Sequence, residues 1–269
     1  MEKITLTPKA DEKYLVLEAD VIIPDTFAGK SIDELKELQV WEGNTPWPLS
    51  KFFDISGTTA ASAEEQAIVI NGSVPRVKYI GSKMTAGAIL CKGDVDMYCG
   101  AWMKGGSIIV KGSVDSFAGI QMEGGQILIE GNAANHLGAS YRGDWRGMKG
   151  GEIVCNGNAG LDVGEYMMGG VITIKGNVDI NAGIHMGRAI GPKDVGGKIV
   201  IYGNAKGRVG GQMIRGNIYV LGKIAAMMPG FAVKLPDPQE IDMDGKKIPF
   251  QVLTGDRAEA GKGTLYVKA

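Results

Sequence analysis

The 269-residue chain has little cysteine, little histidine and almost no net charge. Its three cysteines, Cys91, Cys99 and Cys155, show no paired spacing, which argues against a disulfide framework and fits a reducing cytoplasm. Only two histidines are present, His136 and His185, both at variable positions of a repeat that read as surface. No His, Cys and Asp residues fall at metal-ligand spacing. No serine sits in a nucleophile motif. A net charge of −1 leaves no global basic field, so nucleic acid is excluded as a natural partner. No apolar run approaches the roughly 18 residues of a membrane-spanning helix. The N-terminus lacks the basic-then-apolar pattern of a signal peptide, so a soluble, cytoplasmic protein is expected. Ten prolines are too few for collagen.

What the chain has instead is glycine: 42 residues, of which 35 fall between positions 66 and 230. With 44% of the chain apolar, glycine-rich disorder is excluded and a folded, repetitive backbone is implied. Three regions follow: 1–65, an N-terminal hairpin plus short helix that caps or reaches out as an arm; 66–230, the repetitive body; and 231–269, a tail with short strands. The first region carries a net −7 and the remainder +6, an asymmetry suited to partners of opposite sign.

The glycines obey a period. One set falls at Gly87, Gly106, Gly125, Gly151, Gly170, Gly197 and Gly216, with intervals of 19, 19, 26, 19, 27 and 19. A second, at Gly93, Gly112, Gly131, Gly157, Gly176, Gly203 and Gly222, keeps the same intervals. A third, at Gly100, Gly119, Gly138, Gly164, Gly183 and Gly210, always follows seven residues later. The unit is 19 residues, repeated about eight times, with insertions of 7 and 8 residues in two copies. In a chain this rich in glycine, a Gly-x-Gly-x-x-Gly match carries no information.

A fixed period near 20 signals a solenoid. Each copy opens on an alternating apolar pair such as Ile108/Val110 or Ile127/Ile129, whose spacing of two sends both side chains to one face of a strand. Nineteen residues leave no room for a strand plus a helix, and leucine-rich, hexapeptide and calcium-binding nonapeptide signatures are absent. The expected fold is therefore all-β: a right-handed parallel β-helix of about eight 19-residue coils, with a small α+β N-terminal segment and a short C-terminal segment. The cysteines then occupy small apolar interior positions, and seven methionines, from Met84 to Met213, form one interior column. Glycines of the second and third sets mark turns or close coil contacts. The Asn or Asp after the second set, such as Asn132 and Asn158, can hydrogen-bond between coils.

Two features do not suit a bare rod. Between the inward residues lies an outward row, Leu90, Ile109, Leu128, Val154, Thr173, Val200 and Tyr219, nearly all apolar, which should be covered by the chain's own flanks or by another subunit. The insertions are the other feature. One, Tyr141-Arg142-Gly143-Asp144-Trp145-Arg146, joins tryptophan to two arginines, types favoured at interface anchors. The other, from Arg188 through Lys193 and Asp194, leaves the same part of the repeat. In the flanks, Ile4–Leu6 and Tyr14–Leu17 around Pro8-Lys9-Ala10-Asp11 read as a hairpin. Ser31-Ile32-Asp33-Glu34 reads as a capping box, and Asp244-Gly245 as a second hairpin turn.

Catalysis finds no support. Polysaccharide-cleaving enzymes of repetitive β architecture need paired carboxylates, and Asp162, Asp179 and Glu165 are scattered. A stand-alone carbohydrate-active enzyme is the competing class.

Gly106-Ser-Ile-Ile-Val-Lys-Gly112 with Ala118-Gly119 and Met122-x-Gly124-Gly125, the segment Phe27-Ala-Gly-Lys-Ser-Ile-Asp-Glu-Leu-Lys36, and the ending Thr254-Gly-Asp-Arg through Tyr266-Val267 together resemble the C subunit of formylmethanofuran dehydrogenase. The repeat alone is also similar to the C-terminal domain of the glutamate synthase large subunit, which keeps an amidotransferase-associated role as an alternative. The resemblance implies a non-catalytic structural subunit, with no catalytic, metal or cofactor residue of its own. It also implies a cytoplasmic complex at the first step of methanogenesis from carbon dioxide, which reduces the gas to formate with ferredoxin-level electrons and attaches it to methanofuran. The implied cofactors are a tungsten or molybdenum pterin, iron–sulfur clusters and a two-metal site in other subunits. The implied partners are an amidohydrolase-like subunit, pterin-binding subunits and iron–sulfur subunits.

Overall fold

The computed structural model describes residues 1–9, 15–188 and 195–269. The N-terminal part forms β1 (Glu2–Pro8), β2 (Leu17–Glu18), the short helices α1 (Pro24–Phe27) and α2 (Ile32–Lys36), then β3 (Gln39–Glu42), β4 (Thr45–Pro48) and β5 (Phe53–Gly57). The glycine-rich body adds β6 (Gln66–Ile70), β7 (Val77–Lys78), β8 (Ala88–Cys91), β9 (Ser107–Val110), β10 (Gln126–Ile129) and β11 (Glu152–Cys155). It continues with β12 (Val171–Ile174), β13 (Val178–Ile180), β14 (Lys198–Ile201), β15 (Ala205–Gly207) and β16 (Asn217–Val220). The C-terminal part forms β17 (Ala232–Val233), β18 (Gln239–Met243), β19 (Lys246–Gly255) and β20 (Gly263–Lys268). Most strands of the body are apolar four-residue runs that glycine terminates on both sides, too short for a helix and rich in β-branched residues.

One mixed sheet of 14 strands dominates, in the order β17-β19-β20-β16-β14-β12-β11-β10-β9-β8-β6-β1-β5, with β18 paired to β19. Its middle is parallel and in register: Ile89, Ile108, Ile127, Ile153, Ile172, Ile199 and Ile218 are successive partners. Its ends are antiparallel, β1 with β5 on one side and β20 with β19 on the other. A second mixed sheet, β4-β3-β2-β7, and a two-stranded one, β13-β15, complete the molecule.

This corrects the expected all-β right-handed parallel β-helix with separate flanking segments. The dominant unit is a mixed sheet that takes in strands from both ends of the chain, and a second mixed sheet lies beside it. The reason is the edge problem: a terminal parallel strand presents unpaired N–H and C=O groups, and a sequence-distant strand satisfies them. A period in the sequence reports the repeated copies but is blind to such long-range pairing. The N-terminal hairpin is corrected likewise. β1 pairs with β5 and β6, whereas β2 pairs with β3 and β7, so these two strands lie in different sheets. Ala10, Asp11 and Tyr14 of that reading lie outside the described residues.

The local signals in the flanks hold. Ser31 caps α2, accepting from Glu34 N–H while the Glu34 carboxylate takes the Ser31 N–H at 2.8 Å. Asp244 and Gly245, at φ 56° and 80°, form the turn between β18 and β19. The interior of the body holds the two inward rows, the column Cys99, Ala118, Leu137, Val163, Ala182 and Val209, and the methionine column, all buried. Each methionine methyl lies beneath a glycine of a later copy. A carbon added to Gly106 would lie 2.7 Å from Cε of Met84, and one added to Gly125 equally close to that of Met103. The three cysteines are buried in these rows. Burial pushes Cys99 up to about 12 and also raises Cys91 and Cys155. Gly119, like the rest of its column, is left-handed, at φ 62°. Gly131 stands for the second set, where a side chain would strike the Gly112 backbone at 2.7 Å.

Candidate functional site

Two surfaces of the body carry the candidate contact residues of the sequence. The first is the outward row of the large sheet. Leu90, Ile109, Leu128, Val154, Thr173, Val200 and Tyr219 are direct cross-strand partners, and the row runs on to Tyr266 of β20. Its C-terminal end is covered from within the chain. The β18–β19 hairpin lays Met243, Phe250, Ile241 and Ile248 over Val200, Tyr219 and Tyr266. Tyr219 and Tyr266 stack at 4.2 Å, with Phe250 edge-on to both. Burial, with Tyr266 alongside, pushes the Tyr219 phenol up to about 12. From Leu90 to Thr173 the row is half-buried and lies outside that cluster.

The second surface lies at the turns flanking the third glycine set. The residues two before and two after those glycines, Ser140 excepted, have positive φ without being glycine, as do Tyr79 at 67° and Lys83 at 64° around Gly81, down to Arg208 at 53° and Gln212 at 58°. This backbone stacks equivalent side chains of successive copies. Tyr79, Tyr98, Phe117 and His136 form a ring ladder with centroid separations of 4.7, 5.1 and 4.7 Å. Past His136 the ladder turns polar. Its Nδ1 is buried without a hydrogen-bond partner, 3.8 Å from Asp162 and 3.6 Å from Glu165. In the parallel column Trp102 donates from Nε1 to Gln121 at 2.6 Å, and Tyr166 stacks on His185 at 4.4 Å. Both histidines are thus half-buried members of stacked columns, not free surface residues.

The first insertion folds back over this ladder. Arg146 grips Asp144 with two hydrogen bonds of 2.9 Å, and Gln121 donates to the same carboxylate at 2.8 Å. The Arg146 hydrogen bonds, with that of Gln121, hold Asp144 down at about 2. Tyr141 lies over Tyr98 and Trp102, and the Arg142 guanidinium over Phe117 at 5.6 Å. Tyr141 and Trp145 remain 44% and 49% exposed, so they are the protruding aromatic side chains of this loop. With His136, Glu165 and Tyr166 the loop lines an open cleft of about 500 Å³.

Of the second insertion, Arg188 is ion-paired to Glu259 at 3.2 Å, which ties it to the C-terminal segment. Lys193 and Asp194 lie outside the described residues. Among the described residues, no three His, Cys, Asp or Glu side chains converge in a way that could hold a metal ion, and no helix is long and apolar enough to cross a membrane. The ring ladder was not anticipated, although aromatic residues at 79, 98 and 117 repeat at the interval of the glycines.

No family model matches the chain. It is similar to the C subunit of the tungsten-containing formylmethanofuran dehydrogenase 2 of Methanothermobacter marburgensis, 50% identical over 98 residues. That match covers 36% of this chain and 36% of that protein, so the chain spans about a third of the first curated relatives it matches. With the Methanococcus maripaludis protein of the same description it shares 51% identity over 231 residues, 86% of this chain and 80% of the relative. The C subunit of a molybdenum-containing formylmethanofuran dehydrogenase 1 from Methanosarcina barkeri is 45% identical over 98 residues, 36% of this chain and 32% of its own length. Among solved structures, a chain of the formyltransferase/hydrolase complex of Methylorubrum extorquens, crystallised with methylofuran, superposes with a TM-score of 0.79. It is 25% identical, and the match covers 98% of this chain and 99% of that one. At 51% identity over 86% of its own length and 80% of that relative, this chain belongs to the family of formylmethanofuran dehydrogenase C subunits.

Proposed function

We propose that the chain is a structural, non-catalytic member of a formylmethanofuran dehydrogenase complex, where it holds catalytic subunits in register. The complex would reduce carbon dioxide to formate and attach it to methanofuran in the cytoplasm. The tungsten or molybdenum named for the relatives would sit, with its pterin and with iron–sulfur clusters, in other subunits.

One observation carries the reading. The outward apolar row is sealed by the chain's own hairpin at one end, shares a cleft with the hairpin's Asp242–Asp244 tip at Thr173 and Val154, and continues beyond it from Leu128 to Leu90. A stripe of this length seeks a partner. The loop with Tyr141, Arg142, Asp144, Trp145 and Arg146 would supply a second contact. Substituting Ile109→Glu and Leu128→Glu together, on outward positions, tests the reading in the organism that makes the complex. Capture of the other subunits should fall at least tenfold while the variant keeps its melting temperature. Undiminished capture would rule out the row as an interface.

A further inference from the structure

Below the aromatic start of the ladder, Glu18, Asp20, Trp41, Tyr79, Ser82, Lys83 and Trp102 line a cavity of about 390 Å³. Glu18 and Trp41 are cross-strand partners in the second sheet, and Tyr79 and Trp102 come from successive copies of the repeat. The cavity therefore lies where the second sheet meets the turns of the repeat, with a carboxylate rim on one side and a ring wall on the other. Tyr79 stacks on Tyr98 at 4.7 Å, Tyr98 on Trp102 at 6.4 Å, and Tyr141 leans on both Tyr98 and Trp102. Neither Glu18 nor Asp20 has an ion-pair partner within 4.0 Å among the described residues, and Lys83 is the one cation of the lining. Two carboxylates against one ammonium leave the lining net negative. Burial first, and then Glu18, push the Tyr79 phenol up to about 12.

We infer that this cavity receives an arginine side chain of a partner subunit, its guanidinium lying against the Trp102 and Tyr79 rings and donating to Glu18 and Asp20. The inference rests on the proposed role in a complex and assigns a contact that the apolar row does not contain. A planar cation with forked donors suits a flat ring wall beside two carboxylates, whereas an ammonium satisfies only a point charge. Trp41, 40% exposed, and Tyr141 border the region with apolar surface of the kind that surrounds buried arginine anchors at protein interfaces.

Two measurements on the full chain test this, each with the isosteric double variant Glu18→Gln/Asp20→Asn. In the first, argininamide is titrated while the four tryptophan indole N–H signals are followed by NMR, with lysinamide as control. Trp41 and Trp102 should shift in a saturating manner, at least threefold more tightly with argininamide, and the variant should not respond. Equal responses to both amides, or equal responses of wild type and variant, overturn the inference. In the second, the affinity for the other subunits should fall at least tenfold in the variant, and a change under twofold overturns the inference. A wild-type chain that captures none of the other subunits refutes the complex reading alone, and the amide titration then still decides the cavity.

Discussion

Asn132 Oδ1 accepts a 2.8 Å hydrogen bond from the backbone N–H of Asn158, its equivalent one copy later. Asn158 does the same for Asn177, Asn177 for Asn204, and Asn204 for Lys223, each at 2.8 Å. Asp94 and Ser113 extend the chain backwards, to Ser113 and Asn132. The row thus joins successive copies just beyond the point where each strand's own pairing stops, and it satisfies backbone donors that no strand partner reaches. Asn158→Ala removes an acceptor at an exposed site, so about 0.5–1.5 kcal/mol should be lost. That corresponds to a fall in melting temperature of a few degrees. Asn156→Ala, two residues away and outside the row, is the control and should leave the melting temperature unchanged.

Gly119 is constrained twice. Its φ of 62° disfavours a side chain, and an added carbon would lie 2.5 Å from Cδ1 of Ile153 in a neighbouring copy. Gly119→Val therefore combines about 1–2 kcal/mol of backbone strain with overpacking of about 1–3 kcal/mol. Calorimetry should show a clear drop in melting temperature. An unchanged value would mean that neighbouring copies do not pack as described.

The three cysteines are buried and free, with thiols raised by burial. Because the thiolate is the reactive species, iodoacetamide at neutral pH should leave the native protein unlabelled. Mass spectrometry after labelling in denaturant should show three additions. Rapid labelling of the native chain would contradict the interior placement of Cys91 and Cys155.

Two groups give the pH limits. Asp144 is held at about 2 by its hydrogen bonds to Arg146 and Gln121, below its ordinary value of 3.8. A depressed folded value stabilises above the unfolded one, so this contribution is complete above about pH 4 and is lost as pH falls toward 2. Tyr219 is displaced the other way, from 10.0 to about 12. Its contribution is present below pH 10 and is lost as pH rises through 12. The environment of Trp145, followed by NMR in an Asp144→Asn variant, should already match at neutral pH the acid form of the wild type. Phenolate absorbance should show Tyr219, with Tyr79, ionising after ordinary tyrosines, and Tyr219→Phe should reduce that late component while leaving the Tyr79 part.

Much of this molecule could be read along the chain, because its glycines, isoleucines and methionines recur at one interval and each recurrence has a local cause. The parallel register of Ile89 through Ile218 and the interior place of the cysteines follow from that rhythm. The architecture as a whole did not. That β5 and β19 close the sheet antiparallel depends on pairings between distant segments, which leave no periodic trace. The site was legible in part. The outward row shows itself by spacing of two, whereas the Tyr79–His136 ladder depends on left-handed backbone at residues other than glycine, which composition conceals. Glu18 and Trp41 are brought to Trp102 only by the second sheet, and nothing in their sequence neighbourhood announces it.

The central claim is that this chain works as a member of an assembly. Native mass spectrometry of material purified through a tag on this chain, from cells that make the complex, tests it most directly. The expected result is a set of complexes containing the other formylmethanofuran dehydrogenase subunits, which lose those subunits when Ile109 and Leu128 are both replaced by glutamate. A folded 28.4 kDa chain flying alone under conditions that keep such assemblies intact would contradict it.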